Sequence, residues 1–544
     1  MTPKTLPKTP PTRQKKPRNT EPMHNRTGQW LVALALALSS SLASAQNAKT
    51  LEAQAIAAYE HKDYATSAAL FEKVIDLGDP SSGLVYDAAC SHALAGEKDA
   101  AFVSLDQALS LGFAHVDHLL SDGDLDSLHS DPRWKTTVDR MLALHPEAPY
   151  QRILEDQSKS VPARYLPVRR AFANGLKVPS SSTSNFMQYY ATLASMMGEY
   201  DEARASYLPH GAPSVDPVAA GFDHAVPANA LILERARSRQ AVFLNESHGE
   251  AQTRAANYLL LAPLRKLGFK YLALETLTVP QPEPSGPTAC AAPRLGDADL
   301  PTRGYPSRLT GYYTSEPVYG EIIREALRLG YTLVSYDGGG NRGPREQHEA
   351  EMIACVLKSD PKARIVAIGG FGHISEKPDA TYPGGRMGVR FKQLTGIDPL
   401  TVSNTELVNI DPATLVFPAD DKGRGAGGYA LLNKEGEAYG SDQFDLIVYE
   451  RHPAHRNDNG GSWLELGGAR KRTPVTAAGC HATFPCLLEA QAEKEAADAI
   501  PSDRCVIADA KAPGCNLYLR PGRYRIASYD ENVKLLDSGG ITVK

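Results

Sequence analysis

Ala241-Val-Phe-Leu244 is the stretch that most restricts the architecture open to this chain. Four consecutive apolar residues do not suit a strand with one wet face. They read as a strand covered on both sides, as in parallel sheets sandwiched between helices. The chain then passes through a polar loop, Asn245-Glu-Ser-His-Gly249, into a predicted helix over 250–266 whose Ala255, Leu259 and Leu260 recur at helical spacing. In open parallel sheets ligands bind outside the carboxyl ends of the strands. This end carries a carboxylate, Glu246, and an imidazole, His248, two residues apart.

The same alternation continues over 223–451 and predicts an α/β domain with a mainly parallel sheet. The expected strands are 241–244, 271–274, 332–335, 364–368, 400–403 and 444–449, and the expected helices 250–266, 316–329, 345–358 and 386–395. The Pro/Gly-rich insertion Val279 to Arg308 lacks periodicity and reads as a lid or binding loop. Polar residues gather at the strand ends. Glu246 and His248 follow the first strand, Glu275 ends the second, Asp337 follows the third, and His373 and Glu376 follow the fourth. Gly369, Gly370 and Gly372 would let backbone come close to a ligand there.

Asn-Glu-x-His after a strand, Arg254 beyond it, a Glu ending the next strand and Gly-x-Gly-His after a later one together resemble a known superfamily. It joins erythromycin esterase-like hydrolases, ChaN-like haem-binding lipoproteins and the TraB/TIKI proteins. The resemblance covers roughly residues 225–451 and implies that Glu246, His248, Arg254, Glu275 and His373 occupy functional positions. Asn245 stands where the family often has Gly, and the esterase branch spaces its first Glu and His one residue further apart. The Arg/Asp-x-x-Met-Ala stretch is approximated by Arg345-Glu346 or His348-Glu349 before Met352-Ala354.

Several chemistries suit these residues. In hydrolysis of an ester, lactone or amide, His248 would take a proton from water, oriented by Glu246 or Glu275. Arg254 or His373 would then steady the oxyanion. Alternatively Glu246, His248, Glu275 and His373 would hold a divalent metal whose bound water attacks. A serine-hydrolase reading takes Ser247 as the nucleophile of a degraded Gly-x-Ser-x-Gly elbow, with Asp337 and His373 following in triad order. The ChaN resemblance also implies haem or iron capture, testable by a Soret shift on adding haemin. A fifth reading is a protein-binding adaptor with an inactive α/β domain.

The remaining chain frames this domain. Residues 1–45 read as an export signal: a basic region, the apolar run Trp30 to Leu38, then Ala43-Ser44-Ala45 before Gln46, with Met23 as an alternative start. The run is too short to span a bilayer, and no other stretch is long and apolar enough, so the mature chain is expected to have no transmembrane segment and to be periplasmic or secreted. Seven of the basic residues lie in this leader, so 51 basic and 62 acidic residues remain, which gives no electrostatic footprint for nucleic acid. Over 49–145, Tyr64, Ser67, Phe71 and Val74 are echoed 34 residues later by Lys98, Ala101, Leu105 and Ala108, and Ala55 by Ala89. This period resembles tetratricopeptide repeats and implies either a partner-binding surface or a scaffold. Residues 146–222 read as a helical connector with a further helical pair, and 452–544 as a small β-rich region. Export favours disulfides: Cys480, Cys486, Cys505 and Cys515 allow three pairings, Cys290 and Cys355 form a candidate third bridge, and Cys90 is left as a buried thiol.

Overall fold

The computed structural model describes residues 46–78, 80–179, 183–207, 216–280, 295–338, 345–407, 410–419, 427–450 and 461–544. The expected leader, residues 1–45, and Cys290 with its expected bridge to Cys355 lie outside them, as does part of the insertion after Val279. The chain forms two compact units, divided between Leu144 and His145.

The first unit is helical. Helix α1 (46–60) is followed by α2 (Tyr64–Asp76), α3 (Ser82–Leu94), α4 (Lys98–Ser110), α5 (Val116–Ser121) and α6 (Pro132–Leu144). Small residues let the helices approach closely: Ala55, Ser67, Ala89 and Ala101 are fully buried, with Phe71 and Leu105 filling the space between. Cys90 is a buried free thiol.

The second unit is built on an eight-stranded mixed sheet in the order β1-β7-β8-β6-β2-β5-β3-β4. The strands are β1 (His224–Pro227), β2 (Ala241–Glu246), β3 (Tyr271–Leu274), β4 (Thr332–Ser335), β5 (Ile365–Gly370), β6 (Leu400–Ser403), β7 (Tyr429–Leu432) and β8 (Leu446–Tyr449). From β8 through β4 every pairing is parallel. The β1–β7 and β7–β8 pairings are antiparallel and add an edge that the parallel expectation did not contain. All six residues of β2 and of β5 are buried, as strands covered on both faces require. One face packs against α11 (Ala228–Ala236), α12 (Ala251–Lys266) and, beyond the one-turn α13 (Leu300–Arg303), α14 (Pro317–Arg328). The other packs against α15 (Arg345–Ser359) and α16 (Met387–Thr395).

The helices α7 (Ala148–Glu155), α8 (Val161–Ala173), α9 (Thr183–Met196) and α10 (Tyr200–Ser206), and the C-terminal strands, belong to the same unit. Strands β9 (Lys471–Thr476) to β14 (Leu535–Val543) form a four-stranded sheet and a two-stranded one, with disulfides Cys480–Cys486 and Cys505–Cys515. Ser538-Gly-Gly540 reads as a turn in the sequence, yet it lies inside β14, because β13 (Gly522–Tyr529) supplies partners for its backbone. Arg504 ties this module to the end of α9 and to the segment before α14, donating to the carbonyls of Met196 at 2.9 Å and Ser315 at 3.0 Å. Among the described residues no helix is long and apolar enough to cross a membrane.

Candidate active site

β2 ends in a carboxylate shielded from solvent. Glu246 is buried, and each of its oxygens is occupied: Oε1 accepts from His248 Nδ1 at 2.8 Å and Oε2 from Arg254 Nε at 2.7 Å. Burial pushes this carboxyl up, but the Arg254 charge, the imidazole and both hydrogen bonds outweigh it and hold the pKa at about 2. An ionised Glu246 can only accept, so His248 Nδ1 carries the proton and Nε2 is left as the basic atom. The ring is fixed further by Tyr313, stacked at 4.0 Å, and by the edge of Phe371 at 4.9 Å.

Arg254 was a candidate oxyanion partner, but it is fully buried one turn into α12 and does not line the cavity. Two carboxylates hold it inside, since Glu316 lies 3.5 Å from its Nη1 as well as Glu246 from its Nε. Glu316 caps α14 by accepting from Val318 and Tyr319 amides. Arg254 therefore acts through Glu246.

Glu275, at the end of β3, meets the loop after β5. It accepts from the Gly370 amide and from Arg345 Nη2 at 3.0 Å, and its Oε1 lies 3.8 Å from His373 Nε2. His373 Nδ1 faces two acids from one face of α15, Glu346 at 3.1 Å and Glu349 at 3.2 Å. Burial opposes a charged imidazole here, but Glu275, Glu346 and Glu349 together push the His373 pKa well above its ordinary value. The three acids thus favour the charged form of His373. Asp337 pairs with Arg345 Nε at 3.0 Å, and no contact joins it to His373 among the described residues. Glu376 turns away, accepting from the Thr401 hydroxyl.

Asn245 supplies what a glycine in its place could not. Its amide donates to Phe371 O at 2.9 Å, Ser403 Oγ at 2.9 Å and Thr405 Oγ1 at 3.0 Å, while Oδ1 accepts from the Asn404 amide at 2.5 Å. It clamps the ends of β2, β5 and β6 to each other. Two residues with positive φ lie in the same region, Thr276 at 74° and Phe371 at 46°. Strain of this kind persists only where neighbours enforce it. Thr276 Oγ1 accepts from the Tyr312 and Tyr313 amides, which seats Tyr313 on His248.

These loops surround a cavity of about 630 Å³ lined by His248, His373, Tyr207, Tyr313 and Phe371 among others. The predicted Glu246, His248, Glu275 and His373 do converge, with donor atoms of the first three within 4.8 Å of one another. Ser247 also lines the cavity. Sequence reading did not single out Tyr313, Glu316 or the cavity residue Arg204. It quoted Arg345, Glu346 and Glu349 only as a family motif, although the i, i+3 spacing of the two acids places both on one helix face.

The four predicted residues do not form one metal site: the donor atoms of Glu246, His248 and Glu275 make one group, and those of His373 fall with Glu346 and Glu349 in another. Within the first group Glu246 has both oxygens committed, and Glu275 is held by an amide and Arg345. Dialysis against a strong chelator should leave turnover within about twofold of the untreated protein; a loss restored by zinc or manganese would reverse this reading. Comparison with protein-family models, curated proteins and solved structures found no match, so the geometry itself must carry the functional argument.

Proposed function

We propose that the second unit is a metal-independent hydrolase of an ester, lactone or amide bond. The observation that carries this is the pairing, across one cavity, of an imidazole whose Nδ1 is held by a buried carboxylate with a second imidazole surrounded by three acids that favour its charged form. A base and an electrostatic partner for a developing oxyanion are what carbonyl hydrolysis by water requires.

In this mechanism His248 Nε2 takes a proton from water as its oxygen attacks the carbonyl carbon. The resulting imidazolium is stabilised by Glu246, and the carbonyl oxygen becomes an oxyanion facing His373. His373 Nε2 lies 3.8 Å from Glu275, beyond hydrogen-bonding distance, so its N–H is available to the oxyanion. Collapse of the tetrahedral species breaks the bond to the leaving group, which receives the proton from His248. The residues that resemble erythromycin esterase-like, ChaN-like and TraB/TIKI proteins are those given roles here, and we propose that superfamily for this unit. Two disulfides support an exported protein. The buried small residues spaced 34 apart support a tetratricopeptide-like first unit, with a protein partner as its proposed ligand.

The test is turnover of a panel of aryl esters, lactones and anilides by the full chain and by Ser247→Ala. Water is the nucleophile in this scheme, so Ser247→Ala should keep kcat/KM within about threefold, and fluorophosphonate should label neither protein. Labelling at Ser247, or loss of activity on its replacement, would make Ser247 the nucleophile; no turnover of any substrate in the panel would end the hydrolase reading.

A further inference from the structure

The catalytic imidazoles leave one cation in the cavity wall unaccounted for. Arg204, on α10, lines the cavity and makes no hydrogen bond among the described residues. Its ion-pair neighbour, Glu250, is 3.9 Å away, outside hydrogen-bonding range. Burial pushes the Glu250 carboxyl up, and Arg204 only partly offsets this. The other guanidinium of the wall is committed. Arg386 donates to Asp379 at 3.0 Å, lies 3.7 Å from Glu346 and stacks over Tyr382 at 3.9 Å.

An aromatic shelf joins Arg204's side of the cavity to the reacting centre. Tyr207, three residues after Arg204, stacks on Phe371 at 5.7 Å, and the Phe371 ring meets the His248 ring at 4.9 Å. Tyr207 also packs over Gly249, where any Cβ would collide with its ring. The shelf can carry an apolar spacer. A guanidinium with open donors presents a planar fork that matches a carboxylate with two parallel hydrogen bonds. Glu406, on the same cavity, has no ion-pair partner among the described residues, and burial pushes its carboxyl up.

We infer that the substrates are acyl compounds bearing a second, remote carboxylate, and that Arg204 is the specificity residue that binds it. This rests on the hydrolase reading above. The class is hemi-esters or hemi-amides of dicarboxylic acids, in which an apolar chain separates the scissile carbonyl from the free acid.

The experiment compares p-nitrophenyl hemi-esters of succinate, adipate and suberate with neutral p-nitrophenyl esters of matching chain length. The full chain, Arg204→Gln and Arg204→Lys are used, with circular dichroism confirming that each folds. The wild-type protein should favour the hemi-ester at one chain length, chiefly through KM. Arg204→Gln should cut the hemi-ester to neutral-ester ratio of kcat/KM by roughly 10- to 100-fold, and Arg204→Lys should restore part of it. A wild-type ratio near unity, or a preference that survives Arg204→Gln, overturns the inference while leaving the hydrolase standing. If no ester is cleaved, the hydrolase reading fails instead, and calorimetry with suberate decides the carboxylate site. Binding that Arg204→Gln weakens about tenfold or more supports the site, and absence of wild-type binding overturns it.

Discussion

Arg254→Met should destabilise the second unit by about 3–5 kcal/mol at neutral pH. Methionine follows much of the arginine stem, so lost volume is a minor part of the effect. What disappears is the cation between Glu246, 2.7 Å away, and Glu316, 3.5 Å away, in a region from which water is excluded. The guanidinium also lies 5.3 Å from the Tyr319 ring centre and 5.9 Å from that of Tyr313, contacts that methionine's sulfur replaces only weakly. The two acids respond differently to the shared cation. Glu246, with a direct hydrogen bond, is depressed to about 2, whereas burial leaves the Glu316 carboxyl above its ordinary value.

The pH dependence follows from the Glu246 shift. A carboxyl whose folded pKa is depressed contributes stability above its unfolded pKa and loses it as pH falls through the folded value. For Glu246 that window runs from the ordinary 4.5 down to about 2. Without Arg254 the folded pKa rises and the contribution vanishes, so wild type and variant should differ most at neutral pH and converge on acidification. Denaturant unfolding at about pH 7 and about pH 3.5 measures both terms. A gap under about 1 kcal/mol at neutral pH, or one that does not narrow, would mean Arg254 is not the counter-charge of Glu246.

The parts of this architecture that the sequence reveals are those set by local pattern. The strands 241–244, 271–274 and 332–335 are short apolar runs bounded by turns, and each is found at the same place or a few residues longer. The acids and imidazoles at their ends are equally visible, because buried parallel strands otherwise carry few polar residues. Other features depend on partners distant in sequence. Tyr429–Leu432 sits in a Gly-rich stretch and becomes a strand through antiparallel pairing with β1 and β8. Tyr313 reaches His248 only because the Thr276 hydroxyl holds its loop and Arg504, 189 residues beyond Ser315, holds the adjoining carbonyl. Arg254 looks available for catalysis until Glu316, from a different helix, is seen to pull it inside. Asn245 looks like a departure from a glycine until its bonds to Phe371, Ser403, Asn404 and Thr405 are in view.

Gly370→Ala should abolish most activity while leaving the fold nearly as stable as before. Gly370 has φ −70° and ψ 137°, a conformation open to any residue, so alanine costs nothing in backbone strain. The constraint is a neighbour. A Cβ on Gly370 would lie 2.5 Å from His248 Cε1, 2.9 Å from Nε2 and 3.1 Å from Glu275 Oε2. The imidazole cannot yield without losing its hydrogen bond to Glu246, its stack on Tyr313 or its edge contact with Phe371. Nε2, the atom proposed to take the proton, is thereby moved off the line of attack. Displacing a general base by about 1 Å removes much of its advantage, so kcat/KM should fall roughly 100- to 1000-fold, approaching the loss in His248→Asn. The double variant should lose little more than either single one, because both changes remove the same base. The thermal midpoint of Gly370→Ala should stay within about 4 °C of wild type, since an exiting imidazole can enter the adjoining cavity. Activity within about threefold of wild type would mean that His248 works from another rotamer or does not supply the base.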